Sequence, residues 1–403
     1  MYSKNENIWI KPFPYLTIFL LLFLALNFLG IFNFSFYTKN IVKAPLLNLV
    51  FIGLAGFVSG TLLIRILKIN FRPLKGTYKP HILKAIFLVA FFASLVLVFW
   101  ANLKSGGIIL LMGTQRFSGS TFITLFVYIG IVATCLYFAH LLLNNEKIKK
   151  RQVAFFILQA LAALSMGYRG PLVVLVGSCF MIFFIVRNDH YNKYKNVFSI
   201  RYGLIFLAGI ILMSTISTFR VAQQYNVRKF FRNINMDYVN KHPYLKPYIS
   251  TLSVFRYDQE VVTTLIEKTE NKHLYGELAI ANLLTVLPGM QLGARNKIGE
   301  IIEARKFPDG RPWSITPTLQ GALFVDGGRI FVFLGFFLLA ALIEYLKKMM
   351  LFKGDPFSIV LYVIIAVNSL MLIHSGYFDV LVYILILLVF IIKFLVMRII
   401  YKV

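Results

Sequence analysis

The chain has 403 residues, of which 59% are hydrophobic and 16% aromatic, and its mean hydropathy is +0.75. This composition excludes a soluble globular protein, because apolar runs of about 20 residues recur along most of the length, as in helices that cross a bilayer. The formal net charge of +26 is also found in nucleic-acid-binding proteins, but the placement of the charges, described below, argues against that class.

Ten apolar spans are predicted. The first is kept as a membrane helix rather than a signal peptide, because it is long and no small-residue cleavage site follows it. The chain therefore divides into seven spans within residues 1–218, a loop at 219–315 and three spans within 316–403. The predicted spans are Pro14–Tyr37, Leu46–Leu67, Ile82–Ala101, Thr121–Leu143, Val153–Tyr168, Pro171–Val186, Tyr202–Thr218, Thr316–Leu346, Phe357–His374 and Val380–Val396.

The distribution of basic residues indicates the orientation of these spans in the membrane. With the N-terminus in the cytoplasm, 22 Lys and Arg residues fall on cytoplasmic segments and the span ends beside them, against 5 on the short outer loops. Such a bias is the positive-inside signal of a cytoplasmic-membrane protein. It predicts cytoplasmic N- and C-termini and an extracytoplasmic loop 219–315, and it explains the charge by topology and lipid attraction rather than by nucleic acid.

The long loop has 97 residues and is not a disordered linker. The stretch Val254–Glu270 ("VFRYDQEVVTTLIEKTE") places apolar residues at helical spacing. Five prolines, at 243, 247, 288, 308 and 312, divide the rest into short pieces. We therefore expect several short helices packed on the outer face of the membrane.

The segment Val153–Val186 has 34 residues and a single charge, Arg169. One helix of that length would measure about 51 Å, against a hydrocarbon core of about 30 Å. The glycines and proline of Gly167-Tyr-Arg-Gly-Pro171 therefore predict a break between two short helices, with Pro171 in the first turn of the second. Arg169 would then lie at the tip of an outward-facing hairpin. A snorkelling arginine at a helix end is the structural alternative.

Further arginines are predicted on the same side of the membrane. Guanidinium groups bind phosphate through two oxygens at once, so their convergence on an outward cavity predicts a phosphate-bearing lipid ligand. Contact with headgroups or solvent is the alternative for any one of them except Arg169 and Arg220. The set is Arg169, Arg220, Arg256, Arg295, Arg305 and Arg311.

A general base is harder to choose, because the outer segments offer six candidates: Asp258, Glu260, His242, His273, Asp309 and Asp326. Asp326 and Arg329 are spaced to form a local pair on a helix, which favours a structural role for both. His374 and Asp379 flank the short outer turn "HSGYFD", where a histidine is more often an anchor than a catalyst. No HExxH, paired-cysteine, P-loop, GxSxG or GxGxxG motif occurs, so we expect neither a metal nor a cofactor.

Two stretches resemble bacterial oligosaccharide repeat-unit polymerases, the Wzy type of O-antigen and capsule polymerase. "GYRGPLVV" (Gly167–Val174) is similar to the family's S/G-x-R-G-P-L element. "TPTLQGALFVDGGRIFVFLGFFLLA" (Thr316–Ala340) is similar to its T-P-T-L-x-G-E-L-Y run, although the family's glutamate is Ala322 and its tyrosine is Phe324. If that glutamate matters chemically, Gln320 or Asp326 would have to substitute for it.

The resemblance implies an all-helical GT-C-like glycosyltransferase that works without metal or nucleotide. It would transfer polymer from undecaprenyl diphosphate to a new lipid-linked repeat unit, with a chain-length regulator and a flippase as partners. The catalytic residues expected are Arg169, Arg220, Arg256, Asp258 and Asp326. The expected substrate-binding residues are Tyr168, Arg295, Arg311, Trp313, Thr316, Thr318 and Gln320.

Two other functions are consistent with this membrane layout. A ligase would move finished glycan from the same lipid to another acceptor, and the sequence does not separate it from a polymerase. A flippase for lipid-linked sugars would require inverted repeats and charges at mid-membrane in several spans. The sequence shows no such repeat, and its charges collect on one side.

The charge bias predicts the accessibility of single-cysteine probes. Probes placed at Asn145 and Asn192 should react only from the cytoplasm, and a probe at Lys272 only from outside. Labelling of position 272 from the cytoplasmic side of sealed vesicles would overturn the topology.

Overall fold

The computed structural model describes residues 15–38, 40–67, 69, 80–104, 121–165, 169–186, 233–270, 272–285, 292–306, 310 and 312–398. Within these ranges every regular element is a helix. The elements are α1 (Tyr15–Ile31), α2 (Lys43–Ile66), α3 (Pro80–Lys104), α4 (Thr121–Leu143), α5 (Lys150–Ser165), α6 (Arg169–Val186), α7 (Met236–Lys241), a 3₁₀ helix (Pro243–Tyr248), α8 (Ile249–Thr269), α9 (Glu277–Leu284), α10 (Ala294–Ile301), α11 (Thr318–Lys353), α12 (Pro356–Ser375) and α13 (Val380–Arg398).

The all-helical membrane architecture is confirmed. Among the described residues, five helices are long and apolar enough to cross a membrane: Lys43–Ile66, Pro80–Lys104, Leu125–Leu143, Thr318–Lys353 and Pro356–Ser375. Three shorter apolar helices lie at Tyr15–Ile31, Gly170–Val186 and Val380–Val396. The total of ten spans and the GT-C-like arrangement stay predictions, since the predicted span 202–218 lies outside the described residues.

The structure describes two separate short helices here, as predicted, and the break predicted between them falls on residues 166–168, which lie outside the described residues. Helix α5 ends at Ser165 and helix α6 begins at Arg169, so Pro171 lies in the first turn of α6. A proline costs nothing there, because the first backbone N–H groups of a helix have no partner within the helix. The two short helices pack against each other, as a hairpin requires.

Helices α2 and α11 pack in close contact through glycines of α2. A Cβ atom at Gly56 would lie 2.3 Å from the carbonyl oxygen of Phe333, and one at Gly60 would lie 2.1 Å from that of Phe337. Small residues allow membrane helices to approach at the backbone, where van der Waals contact drives association. Helix α12 lies at the centre of the bundle and packs against α1, α4, α6, α11 and α13.

Helix α11 is interrupted at Gly327 and Gly328, whose backbone angles are not helical. Gly328 has φ +65°, and a Cβ atom there would lie 2.8 Å from Nε2 of His273. The predicted pair of Asp326 with Arg329 is therefore wrong. The i, i+3 spacing joins two side chains only on a continuous helix. Here Asp326 is fully buried, whereas Arg329, beyond the break, is exposed.

The long loop folds into short helices, as predicted. The predicted amphipathic stretch belongs to α8, which buries Val261, Val262 and Leu265. Val261 and Leu265 pack in a small apolar core with residues of α9, α10 and the first part of α11. Helix α8 also contacts α1 and α11 directly, so this loop is fixed on the ends of the membrane helices.

Candidate functional site

Within Arg256–Gln259 of helix α8, three polar residues are almost fully buried: Arg256, Asp258 and Gln259. Arg256 and Gln259 are three positions apart and therefore share one face of the helix, whereas Asp258 lies on another. The first two contact the end of α1, and Asp258 contacts α12. A buried polar group must be paired, or it costs stability. The partners of this short run therefore fix how α8 sits on the membrane helices.

Asp258 forms an ion pair with a histidine that is distant in sequence. Nδ1 of His374 lies 2.5 Å from Oδ2 of Asp258, and the Thr316 hydroxyl donates to Oδ1 at 3.3 Å. The Asp258 side chain is 4% exposed, whereas that of His374 is 42% exposed. One side of the imidazole is thus held by a buried carboxylate, while the rest of the ring remains accessible.

Local chain geometry explains the position of His374. It lies in the last turn of α12, which ends where Gly376 adopts φ +91°. A Cβ atom at Gly376 would lie 3.1 Å from Cγ of Pro317, so a glycine allows this turn to pack on the segment before α11. That packing brings the ends of α12 and α11 to the same face of α8.

Burial raises the pKa of the Asp258 carboxyl, and the charge of His374 with the two hydrogen bonds offsets part of this effect. The carboxylate accepts a hydrogen bond from the N–H group at Nδ1 of the neutral histidine. This tautomer leaves Nε2 as the basic nitrogen of the ring. This is the arrangement in which a carboxylate orients a histidine for proton transfer.

A small pocket lies beside this pair, where α1, α8, α11 and α12 meet. Its lining includes both apolar and polar side chains. It is lined by Leu26, Asn27, Phe255, Asp258, Gln259, Thr318, Ile373 and His374.

Arg295, at the start of α10, lies near the same pair. Its Nη2 donates to Oδ2 of Asp379 at 3.2 Å, and its side chain is 36% exposed. It is close enough to His374 for the two charges to interact. Its carbonyl oxygen accepts from the backbone N–H of Ile315, beside Thr316. The structure therefore brings together four of the residues predicted from the sequence: Asp258, Arg295, Thr316 and Thr318.

Arg256 is placed differently. Its side chain is fully buried and donates to the carbonyl oxygen of Gly30 and to Oδ1 of Asn33, each at 2.9 Å. Its guanidinium carbon lies 4.7 Å from the ring centre of Tyr37. Burial lowers the pKa of the guanidinium, and a nearby glutamate, Glu260, opposes that shift. These contacts tie α8 to the end of α1, so Arg256 acts as a structural cation in this arrangement.

Asp326 is also held by structural contacts. Its carboxylate accepts the backbone N–H groups of Leu278, at 3.0 Å, and Ala279, at 3.3 Å, together with the Tyr377 hydroxyl. The two amides belong to the first turn of α9, where a negative charge is favourable. Asp326 thus links α9, α11 and the turn after α12.

Of the remaining predicted residues, the structure describes the side chains of two, Trp313 and Gln320. Trp313 is 37% exposed, and its carbonyl oxygen packs on Gly299, where a Cβ atom would lie 2.0 Å away. Gln320 is buried and donates to Oδ1 of Asn27. The side chains of Tyr168, Arg169, Arg220 and Arg311 lie outside the described residues, and their roles stay predictions.

Sequence analysis favoured an anchoring role for His374, because nothing local marked it. Its partner Asp258 is 116 positions away, and no motif spacing links the two. The available signal was the position of the histidine at the outer end of a predicted span. Among the described residues, no three His, Cys, Asp or Glu side chains are grouped so that they could hold a metal ion.

Arg256 and Arg295 should respond differently to the same substitution. Arg256→Lys loses buried, charge-assisted hydrogen bonds and should lower the stability of the purified protein by about 2–3 kcal/mol. Arg295→Lys changes a partly exposed ion pair, worth about 0–1 kcal/mol. Thermal unfolding in detergent measures both. Equal melting temperatures for the two variants would contradict the structural role of Arg256.

The sequence matches the model of a known protein family. Residues 10–386 match a family model described as "Putative O-antigen polymerase". No curated protein and no solved structure matches the chain. The matched region includes α1, the long loop with Asp258, and α12 with His374, so the family model covers every element that builds the site. The chain belongs to the O-antigen polymerase family.

Proposed function

We propose that this protein joins undecaprenyl-diphosphate-linked oligosaccharide repeat units into an O-antigen, capsular or exopolysaccharide chain at the outer face of the cytoplasmic membrane. Membership of the family supports repeat-unit polymerisation by a glycosyltransferase-type enzyme acting on a lipid-linked oligosaccharide. The observation that carries the chemistry is the contact between His374 and Asp258 beside a small pocket, with the histidine side chain 42% exposed.

In this proposal His374 is the general base. Nε2 takes the proton from a hydroxyl at the non-reducing end of the acceptor repeat unit, while that oxygen attacks the anomeric carbon of the donor polymer. The bond between this carbon and the diphosphate breaks, and undecaprenyl diphosphate leaves with the bonding electrons. The proton then passes from His374 to water or to the departing diphosphate.

Asp258 makes His374 a better base in two ways. Its carboxylate holds the proton on Nδ1 and thereby selects the tautomer with a basic Nε2. Its negative charge also stabilises the imidazolium that forms in the transition state. The bond from the Thr316 hydroxyl to Oδ1 keeps the carboxylate in place.

The departing diphosphate needs positive charge. Arg295 supplies a partly exposed guanidinium beside the pair, and its contact with Asp379 occupies only one of five donors. We propose that Arg169, Arg220 and Arg311 complete this binding site, as their sequence positions predict. Preorganised charges of this kind stabilise a leaving group as its negative charge grows.

A buried carboxylate that orients a histidine is useful for proton transfer from a reacting hydroxyl, and the family that the chain matches is a polymerase family. Together these observations favour a transferase over a flippase. We therefore propose that this protein acts after a flippase has delivered the lipid-linked unit, and that it works together with a regulator of chain length. Because the donor arrives already activated, we propose that the enzyme needs neither nucleotide nor metal.

Substitution of the proposed pair tests the base. His374→Ala and Asp258→Asn should each lower the rate of polymerisation by about 10²–10⁴-fold, as for loss of a general base. The rate in the wild-type protein should rise with pH along an acid limb that belongs to the coupled pair, and Asp258→Asn should shift that limb.

His242→Ala is the matched control, because His242 lies on the same long loop but stacks on Tyr238. It should keep wild-type activity. Wild-type polymer from a stable His374→Ala protein would refute the proposed base. Transfer to a different acceptor, with no repeat-unit polymer, would instead identify a ligase.

Metal removal is a separate test. Polymerisation of purified lipid-linked repeat units should continue in excess EDTA at an unchanged rate. Loss of activity that magnesium or manganese restores would show that a metal takes part.

Arg169→Lys tests the diphosphate contact predicted at the hairpin tip. Lysine keeps the charge but loses the planar two-point contact, so polymer synthesis should fall by about 10²–10³-fold, or about 2–4 kcal/mol of transition-state stabilisation. The amount and length of polymer should be measured in a strain with a wild-type level of the protein. Normal polymer there would leave Arg169 as an anchoring residue at a helix end.

A further inference from the structure

Three buried amide side chains meet next to the His374 pocket. Oδ1 of Asn27 accepts Nε2 of Gln259 at 3.2 Å and Nε2 of Gln320 at a shorter distance. The three residues come from α1, α8 and α11, and each is at most 3% exposed. Amides are seldom buried this deeply unless their donors and acceptors are used.

A backbone carbonyl fixes the orientation of all three amides. Nδ2 of Asn27 donates to the carbonyl oxygen of Phe23 at 2.8 Å, and that oxygen can only accept. Oδ1 of Asn27 must therefore face the two glutamines, and each of them must present its NH₂ group. Both Oε1 atoms are consequently turned away from Asn27, and both are buried with no hydrogen-bond donor among the described residues.

Of the two glutamines, only Gln259 lines the pocket, which it shares with Asn27, Asp258 and His374. Gln259 is therefore a wall residue of this pocket, and its buried carbonyl oxygen has a fixed orientation. An acceptor left unpaired in the interior is costly, and this one is held in place by a network that offers no alternative orientation.

We propose that Oε1 of Gln259 binds a hydroxyl or acetamido N–H of the acceptor sugar, on a ring carbon next to the hydroxyl that His374 deprotonates. This inference rests on the proposed function, because it takes the sugar at the base to be the acceptor. A carbonyl oxygen repels phosphate oxygens and attracts donors, so the diphosphate of the donor belongs elsewhere. Gln259 is then a specificity-determining residue, while Asn27 positions its amide.

The chemistry also predicts which sugars are rejected. A terminal sugar with hydrogen in place of the neighbouring donor would leave Oε1 of Gln259 unpaired in the complex. Sites built to hydrogen-bond a substrate group discriminate strongly against analogues that lack it. For one neutral hydrogen bond the expected loss of affinity is about 10-fold.

Binding measurements test this inference independently of catalysis. The probes are the repeat-unit oligosaccharide released from its lipid and two monodeoxy forms, each lacking one group next to the hydroxyl through which the polymer grows. Calorimetry on the purified full-length protein gives a Kd for each. The variants are Gln259→Met, which removes the acceptor at nearly constant length, and Gln320→Met, which breaks a bond to Asn27 without touching the pocket wall.

Wild type and Gln320→Met should bind the complete oligosaccharide about 10-fold more tightly than one of the deoxy forms, whereas Gln259→Met should bind the two equally. If Gln259→Met does not fold, Gln259→Asn, which withdraws the carbonyl by one methylene, should show the same loss. Equal binding of all three probes by wild type, or undiminished discrimination by the Gln259 variants, would overturn the proposal and leave water as the partner of Oε1. Discrimination by a wild-type protein that makes no polymer would instead refute the proposed function and keep the sugar site.

Discussion

The candidate site depends on how one helix of the long loop is fixed to the membrane bundle. Helix α8 sends three nearly consecutive polar side chains into the protein, and they are held by two membrane helices. Arg256 and Gln259 contact the last turns of α1, at Gly30 and Asn27, whereas Asp258 contacts the last turn of α12. A charged group buried without these partners would destabilise the protein by several kcal/mol. The position of the loop therefore depends on its contacts with the membrane helices.

This junction suits a reaction between two substrates that are both anchored in the membrane. The lipid tails keep each substrate at the bilayer surface, so the reacting sugars must meet just above the ends of the membrane helices. Under the proposed function they would meet at the pocket, between α8 and the ends of α11 and α12. Glycine at positive φ interrupts α11 at Gly328 and ends α12 at Gly376. Both allow close packing that brings the polar residues together.

The helices could be predicted from the sequence, including a separate helix α6 with Pro171 in its first turn, because hydropathy, length and proline act locally. The role of each outer charge could not. The sequence does not distinguish Arg256 from Arg295, since both are arginines of the long loop. In the structure the first is fully buried in structural contacts and the second is partly exposed beside His374. Asp258 was one of six possible bases, and only a contact across 116 positions distinguishes it. The break at Gly327 and Gly328, inside an apolar run, separated Asp326 from its expected partner.

The central claim is that the acceptor sugar reacts at His374. A cryo-EM map of the full-length protein with a lipid-linked repeat unit, trapped in the Asp258→Asn form, tests it most directly. We expect the non-reducing end of the repeat unit in the pocket, with its attacking hydroxyl within about 3 Å of Nε2 of His374. A sugar bound elsewhere, with the diphosphate or a lipid tail occupying the pocket beside His374, would contradict this account.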